Sequence, residues 1–261
     1  MNDLETYFNN NTGRVMDKWM HYFDVYDRHF SKYRGKEIVI LEIGTWHGGS
    51  LQMWKSYFGD KAKIYGMDIN PDCKNVEEEN VKVFIGSQSD RAFLRKVKSE
   101  LPPLDILIDD GGHTMLQQIV TFEELFDAVK PDGVYLCEDM HTAYWTRWGG
   151  GYKRKGSFIE YTKNFIDKLN AFNSRESSLK VDSFTRSVDS LHFYDSMLVI
   201  EKKPREAPVA RQTGEITLSG PQPEYKGFAL VKLKARYMYR HKMNRLLNFF
   251  GLPFKNGDMI E

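Results

Sequence analysis

Two stretches of the chain run from apolar residues straight into acid. In Leu104–His113, L-D-I-L-I-D-D-G-G-H, the burst Ile106–Ile108 gives way to Asp109, Asp110, two glycines and His113. Further on, Val134–Cys137 gives way to Glu138, Asp139 and then His141. Two or three carboxylates without a thiolate form a hard site, suited to Mg2+, Mn2+ or Ca2+ rather than zinc. Without a cation, Asp110, Glu138 and Asp139 in one crevice repel each other, and one must hold a proton. Carboxylate acid/base pairs of the glycosidase kind use that arrangement. A divalent ion can instead bind a substrate hydroxyl and lower its pKa, leaving an imidazole to take the proton near neutral pH. His113 and His141 are rival candidates for that base. The structural alternative for His113 is a loop histidine capping the helix that starts near Thr114.

A third stretch, E-I-G-T-W-H-G-G-S at Glu42–Ser50, joins an apolar strand to a helix. Glycines in such a loop let backbone approach a ligand, with helix N–H groups directed at it. Gly44, Thr45, Trp46, Gly49 and Ser50 are its candidate ligand contacts. The loop lacks G-x-G-x-x-G spacing and has no GK[ST], so neither a dinucleotide nor a nucleoside triphosphate is indicated. Asp68 follows at the end of the next strand, placed to hydrogen-bond ribose hydroxyls. Ser87 and Gln88, after the strand beyond that, are candidates to read an adenine edge. Glycine loop, ribose acid and adenine contact, in that order, suit an adenosyl ligand without a pyrophosphate, and S-adenosylmethionine fits best.

These residues need strands to carry them. Ile38–Ile43, Ile64–Met67, Val81–Ile85, Leu104–Asp109 and Val134–Cys137 read as buried parallel strands, short apolar bursts closed by turn residues. Helices are expected over Ser50–Phe58, up to about Glu100, Met115–Val129 and Ser157–Phe172. Lys180–Arg186 and Met197–Glu201 read as an antiparallel pair at the sheet edge. The alternation predicts an α/β fold with a doubly wound, mainly parallel sheet. Residues 1–36 read as a helical lid, since Trp19, Phe23, Tyr26, Phe30 and Tyr33 recur at helical spacing. Residues 37–203 form the sheet domain and 204–225, with four prolines near or within it, a linker or arm. Residues 226–261 form a basic amphipathic extension with aromatic and leucine residues among its lysines and arginines. Such a helix packs on its own domain, on a second copy of the chain to give a homo-oligomer, or on an anionic membrane surface through residues 226–250.

Composition narrows the partners. A formal net charge of +1 over 261 residues argues against a nucleic-acid partner. The two cysteines, Cys73 and Cys137, build no disulfide framework and fit a reducing compartment. The polar start of the chain has no apolar signal region, and no stretch approaches the ~20 apolar residues of a membrane span. A cytoplasmic protein is expected.

From about Lys18 to Lys203 the chain resembles the metal-dependent class I S-adenosylmethionine methyltransferases that methylate sugar hydroxyls. These include macrolide-sugar and rhamnosyl O-methyltransferases and the related cephalosporin hydroxylase-like group. The resemblance rests on L-E-I-G-T-W-H-G-G-S-L-Q-M-W, I-D-D-G-G-H-T, and G-V-Y-L-C-E-D-M-H-T-A-Y-W followed by three glycines. It implies a Rossmann-like seven-stranded sheet with helices on both faces. It also implies Mg2+ (or Mn2+) on Asp110, Glu138 and Asp139, and His113 as general base. Glu42, Gly44, Asp68 and Ser87 then line the cofactor site. In the wider catechol-type enzymes the strand-end aspartate is the ligand, so Asp109 is the alternate to Asp110. The acceptor implied is a small glycosylated molecule or an oligosaccharide. A phenol, polyketide or lipid-headgroup acceptor, or a cofactor-binding scaffold, is the alternative.

Overall fold

Seven strands carry the site: β1 (Val39–Ile43), β2 (Lys63–Asp68), β3 (Val81–Ile85), β4 (Leu104–Asp109), β5 (Val129–Cys137), β6 (Val188–Tyr194) and β7 (Met197–Lys202). In the computed structural model, which describes residues 1–215, 217 and 227–252, they form one sheet of order β3-β2-β1-β4-β5-β7-β6. β1 to β5 are parallel, and β7 runs antiparallel to both of its neighbours. Every residue of β4 is buried, as its unbroken apolar run requires of a strand covered on both faces.

Strand alternation sorts the core into two layers. Ile40, Ile106, Ile108 and Leu136 face α1 (Asp3–Asn9), α2 (Tyr22–Phe30) and α3 (Gly49–Phe58), where Phe23, Tyr26 and Trp54 are fully buried. Leu41, Leu107, Tyr135 and Cys137 face the other way, toward α4 (Arg91–Glu100), α5 (Met115–Leu125) and α6 (Phe158–Leu169). Local signals start these helices. Asp90 accepts from the backbone of Ala92 and Phe93, and Ser157 from Glu160. Thr114 and Gln117 close a full capping box at the start of α5. That cap fixes the residue before it, His113.

The sequence reading needs correction in three places. Residues 1–36 form two helices separated by residues 10–21, not one. The segment expected as strand Lys180–Arg186 is instead a short helix, α7 (Ser183–Ser187), and the edge strand is β6. Asp182 caps α7 by accepting from Thr185, a Ser/Asp-rich start that outweighs the β-branched residues near it. The third concerns the C-terminal extension. The chain divides into two compact units, Met1–Val209 and Ala210–Glu261. The second contains α8 (Phe228–Phe249). At about 3.6 residues per turn, Leu230, Val231, Leu246 and Leu247 fall around its whole circumference, so α8 lacks the single apolar face expected. No described helix is long and apolar enough to cross a membrane. Pro221 and Pro223 of the expected linker, with Lys226 and Lys255 of the extension, lie outside the described residues.

Candidate functional site

The parallel ladder continues one step beyond the strand ends, and that step assembles the site. Gly44 N donates to Met67 O (2.8 Å), Gly86 N to Asp68 O (2.8 Å), Asp110 N to Ile43 O (3.0 Å) and Glu138 N to Asp109 O (2.9 Å). Gly44, Asp68, Gly86, Asp110 and Glu138 therefore share one edge, the carboxyl edge where α/β sheets bind ligands. A cavity of about 470 Å³ opens there. A larger groove of about 880 Å³ between α1 and α3 brings together no comparable cluster of donors, so volume alone does not choose the site.

Gly44 shows how tightly the cavity floor is built. Its φ is +96°, and a Cβ there would lie 1.9 Å from the Asp110 carbonyl oxygen. Only glycine lets the β1 loop pass the β4 loop. Trp46, His113 and Asp139 also have positive φ (45°, 56° and 54°). Non-glycine residues in this region store strain of order 1 kcal/mol or more, held by surrounding structure at functional sites.

The carboxylates divide into two groups. Asp110, His113 and Asp139 offer donor atoms that all lie within 4.8 Å of one another. His113 Nε2 is 3.4 Å from Asp139 Oδ2 and 4.0 Å from Asp110 Oδ1. Tyr22 donates to Asp139 Oδ1 at 2.7 Å. Two carboxylates facing a polar cavity fit a hard divalent cation with open positions, and the imidazole stands beside them. Glu138 borders the same cavity, but its oxygens are taken up by other partners. It is buried beneath Asp110, accepting from Tyr26 Oη (2.6 Å) and from Lys18 Nζ (3.0 and 3.1 Å).

Lys18 is the residue that sequence reasoning missed. Its ammonium lies 2.5 Å from Asp110 Oδ2 and 3.8 Å from Glu42 Oε1, with the side chain almost fully buried. Burial disfavours its charge, but Asp110, Glu138 and Glu42 together hold its pKa well above the ordinary lysine value. Burial likewise raises the pKa values of Glu138, Asp110 and Glu42, while Lys18 opposes the rise. Trp19, Tyr22 and Tyr26 were legible as aromatic knobs, but their reach to the strand ends was not. The only signal was a lysine flanked by Asp17 and Trp19 within the segment read as helical.

The remaining candidates separate by position. Gly44, Trp46, Asp68, Ser87, Gln88, Asp110, His113, Glu138 and Asp139 line the cavity. Glu42, Thr45, Gly49, Ser50, Asp109 and His141 do not. Glu42 is fully buried and accepts from Ser50 Oγ (2.6 Å) and Trp54 Nε1 (3.1 Å). Gly49 is a packing position, where a Cβ would strike the carbonyls of Arg14 and Val15 at 2.5 Å. Thr45 Oγ1 is buried without a partner. Gln88 does not offer its amide to the cavity. Its Nε2 donates to Asp109 and Thr121, and its Oε1 accepts from Gly112 N at 2.7 Å. Asp109 is 1% exposed, and burial pushes its carboxyl up to about 6. Of the two adjacent aspartates, Asp110 therefore faces the cavity and Asp109 lies under the loop. Asp68 accepts from Trp46 N and Asn70 N, each at 2.9 Å. Ser87 pairs with Ser89 at 2.9 Å. His141 stacks on Trp19, ring centroids 4.7 Å apart, and lies 4.0 Å from Asp139 Oδ1.

A glycine loop, a strand-end acid on β2 and carboxylates after β4 and β5, on a sheet with one antiparallel β7 insertion, make up the fold of the class I methyltransferases. Residues 41–140 match the family model described as a methyltransferase domain. The demethylmacrocin O-methyltransferase of Streptomyces fradiae is 37% identical over 199 residues, covering 71% of this chain and 50% of that protein. The mycinamicin VI 2''-O-methyltransferase of Micromonospora griseorubida is 36% identical over 196 residues, covering 70% and 49%. Among solved structures, the MycE methyltransferase in complex with Mg, SAH and mycinamycin VI is similar at a TM-score of 0.69 and 30% identity. That match covers 89% of this chain and 58% of that one. Over the matched region the chain is similar to sugar O-methyltransferases, and it spans about half the length of the curated relatives it matches.

Proposed function

We propose that the protein transfers a methyl group from S-adenosylmethionine to a sugar hydroxyl of a glycan or glycosylated natural product, with Mg2+ (or Mn2+) as its metal. The observation that carries this reading is the convergence of Asp110, His113 and Asp139 in a cavity floored by the β1 glycine loop. The relatives' printed names and the Mg and SAH in the MycE structures support it.

In this reading Gly44, Trp46, Asp68 and Ser87 receive the cofactor. Asp110 and Asp139 hold the ion, with Glu138 as the third carboxylate beneath. When bound, the ion acts as a Lewis acid that makes the acceptor hydroxyl easier to deprotonate. His113 takes the hydroxyl proton on Nε2, which lies 3.4 Å from Asp139 Oδ2. Tyr22 orients Asp139, and Lys18 offsets the charge of the buried acids. Trp19 (43% exposed) and Trp145 (47% exposed), on either side of His141, give a sugar ring apolar faces to stack on. Much of the rate then comes from positioning.

Asp110→Asn and His113→Ala test the assignment. Both should bind S-adenosylmethionine in calorimetry as the unmodified protein does, while turnover on a glycoside acceptor falls by at least ~100-fold. Loss of cofactor binding in both would mean that these residues serve the fold instead. Self-association and membrane contact through residues 226–250 also remain part of the proposal. Deleting residues 226–261 should alter oligomer size or vesicle flotation, and no change in either would remove both roles.

A further inference from the structure

A second group of donors converges away from the cavity, where α2 meets the β6–β7 hairpin. Period-two alternation puts Ser190, His192 and Tyr194 on one face of β6, and the register sets Ser190 opposite Glu201. α2 brings His29 onto the same face. Its ring lies 4.7 Å from that of His192, and its Nδ1 is 3.1 Å from Glu201 Oε1. His192 Nε2 is 3.7 Å from Glu201 Oε2. One donor atom from each residue lies within 4.8 Å of the other two.

We propose that His29, His192 and Glu201 form a second metal site, of the zinc class, that clamps α2 to the sheet edge. Two imidazoles and one carboxylate are a common zinc set, leaving one position for water. Ligands about 2.1 Å from a tetrahedral ion stand roughly 3.4 Å apart; the three donor atoms, already within 4.8 Å of one another, close to that spacing once His192 Nε2 exchanges its 2.9 Å contact with Ser190 Oγ for the ion. His29 is buried, so its ring is held against the sheet edge by packing. Its Nε2 is 2.9 Å from Tyr194 Oη, an outer contact of the kind that fixes a ligating ring. Ser190 Oγ donates to Glu201 Oε2 at 3.4 Å. Lys32 Nζ, 3.6 Å from Glu201 Oε1 and half exposed, swings into solvent when the ion enters.

The two sites differ in chemistry. The set at Asp110 is mostly oxygen and suits a hard ion, whereas two nitrogens favour a borderline one. They are joined through α2, because Tyr22 and Tyr26 of that helix hold Asp139 and Glu138. An ion at His29 fixes the helix that orders the catalytic carboxylates.

Zinc chloride added to the full chain in excess Mg2+ tests this. After desalting, the unmodified protein should retain one zinc equivalent by elemental mass spectrometry. Its melting temperature should rise by roughly 5 °C at hundredfold excess over the dissociation constant. His192→Ala and Glu201→Gln, both at partly exposed positions, should each lose the zinc and the shift while binding S-adenosylmethionine normally. The proposal is overturned if the unmodified protein retains no zinc. It is equally overturned if both variants retain as much as the unmodified protein, which would place the ion at Asp110, His113 and Asp139.

Discussion

Lys18 Nζ lies 2.5 Å from Asp110 Oδ2, and the same ammonium reaches both oxygens of Glu138 at 3.0 and 3.1 Å. A lysine between the two helices of the N-terminal segment is thus the counter-ion of carboxylates delivered by β4 and β5, 92 and 120 residues away.

Removing that charge strands the acids. Lys18→Met should cost about 3–5 kcal/mol in urea denaturation without added metal, the usual penalty for leaving one half of a buried pair. The folded-state pKa of Glu138 is already raised by burial and rises further without the lysine. A raised carboxyl pKa gives stability that is present below the unfolded value and lost as pH rises through the folded one. The deficit should therefore be larger at pH 8 than at pH 5. A deficit below about 1 kcal/mol at pH 8 would contradict this role.

Tyr22, at the wall of the cavity, donates to Asp139 at 2.7 Å. Outer partners of metal ligands typically matter by 10–100-fold in metal affinity. Tyr22→Phe should weaken Mg2+ binding by about tenfold in calorimetry and leave S-adenosylmethionine affinity unchanged. An unchanged Mg2+ affinity would show that Asp139 is oriented by its own backbone alone.

Gly44→Ala forces a methyl group against the Asp110 carbonyl at a positive φ. The loops of β1 and β4 must then part. Cofactor binding should fall below detection in calorimetry, with a stability loss of at least ~2 kcal/mol. A variant that binds cofactor normally would mean that the loop crossing is not required.

How much of this was legible in the sequence follows the range of the interactions. β1 to β5 declare themselves through short, largely apolar bursts, and their carboxyl ends through Asp68, Asp110 and Glu138. β6 was missed because Val188–Tyr194 mixes Asp189, Ser190 and His192 into an edge strand that is only half covered, blurring its alternation. Residue type placed the acids on one edge, yet could not say which way each side chain turned. The oxygens of Glu138 are taken up by Lys18 and Tyr26. Gln88 is spent on Asp109, Thr121 and Gly112. Those partners are 21 to 120 residues distant, and no local spacing announces them.

Cys73 offers a pH test of the cavity rim. Burial, then Asp68, pushes its thiol up to about 11, and its Sγ donates to Trp46 O at 3.1 Å. At pH 7.5 roughly 0.03% is thiolate, against roughly 10% for an ordinary thiol. Alkylation by iodoacetamide should run at least ~100-fold slower than for free cysteine and rise about tenfold per pH unit from 8 to 10. Fast labelling at pH 7.5 would show that the rim is open and the thiol solvated.

Metal-dependent methyl transfer to a sugar is tested by following labelled methyl from S-adenosylmethionine onto a panel of rhamnosides and macrolide glycosides, with Mg2+ and after thorough chelation. A methylated sugar hydroxyl should disappear with chelation and return when Mg2+ is restored. Undiminished product in the chelated protein would contradict metal dependence.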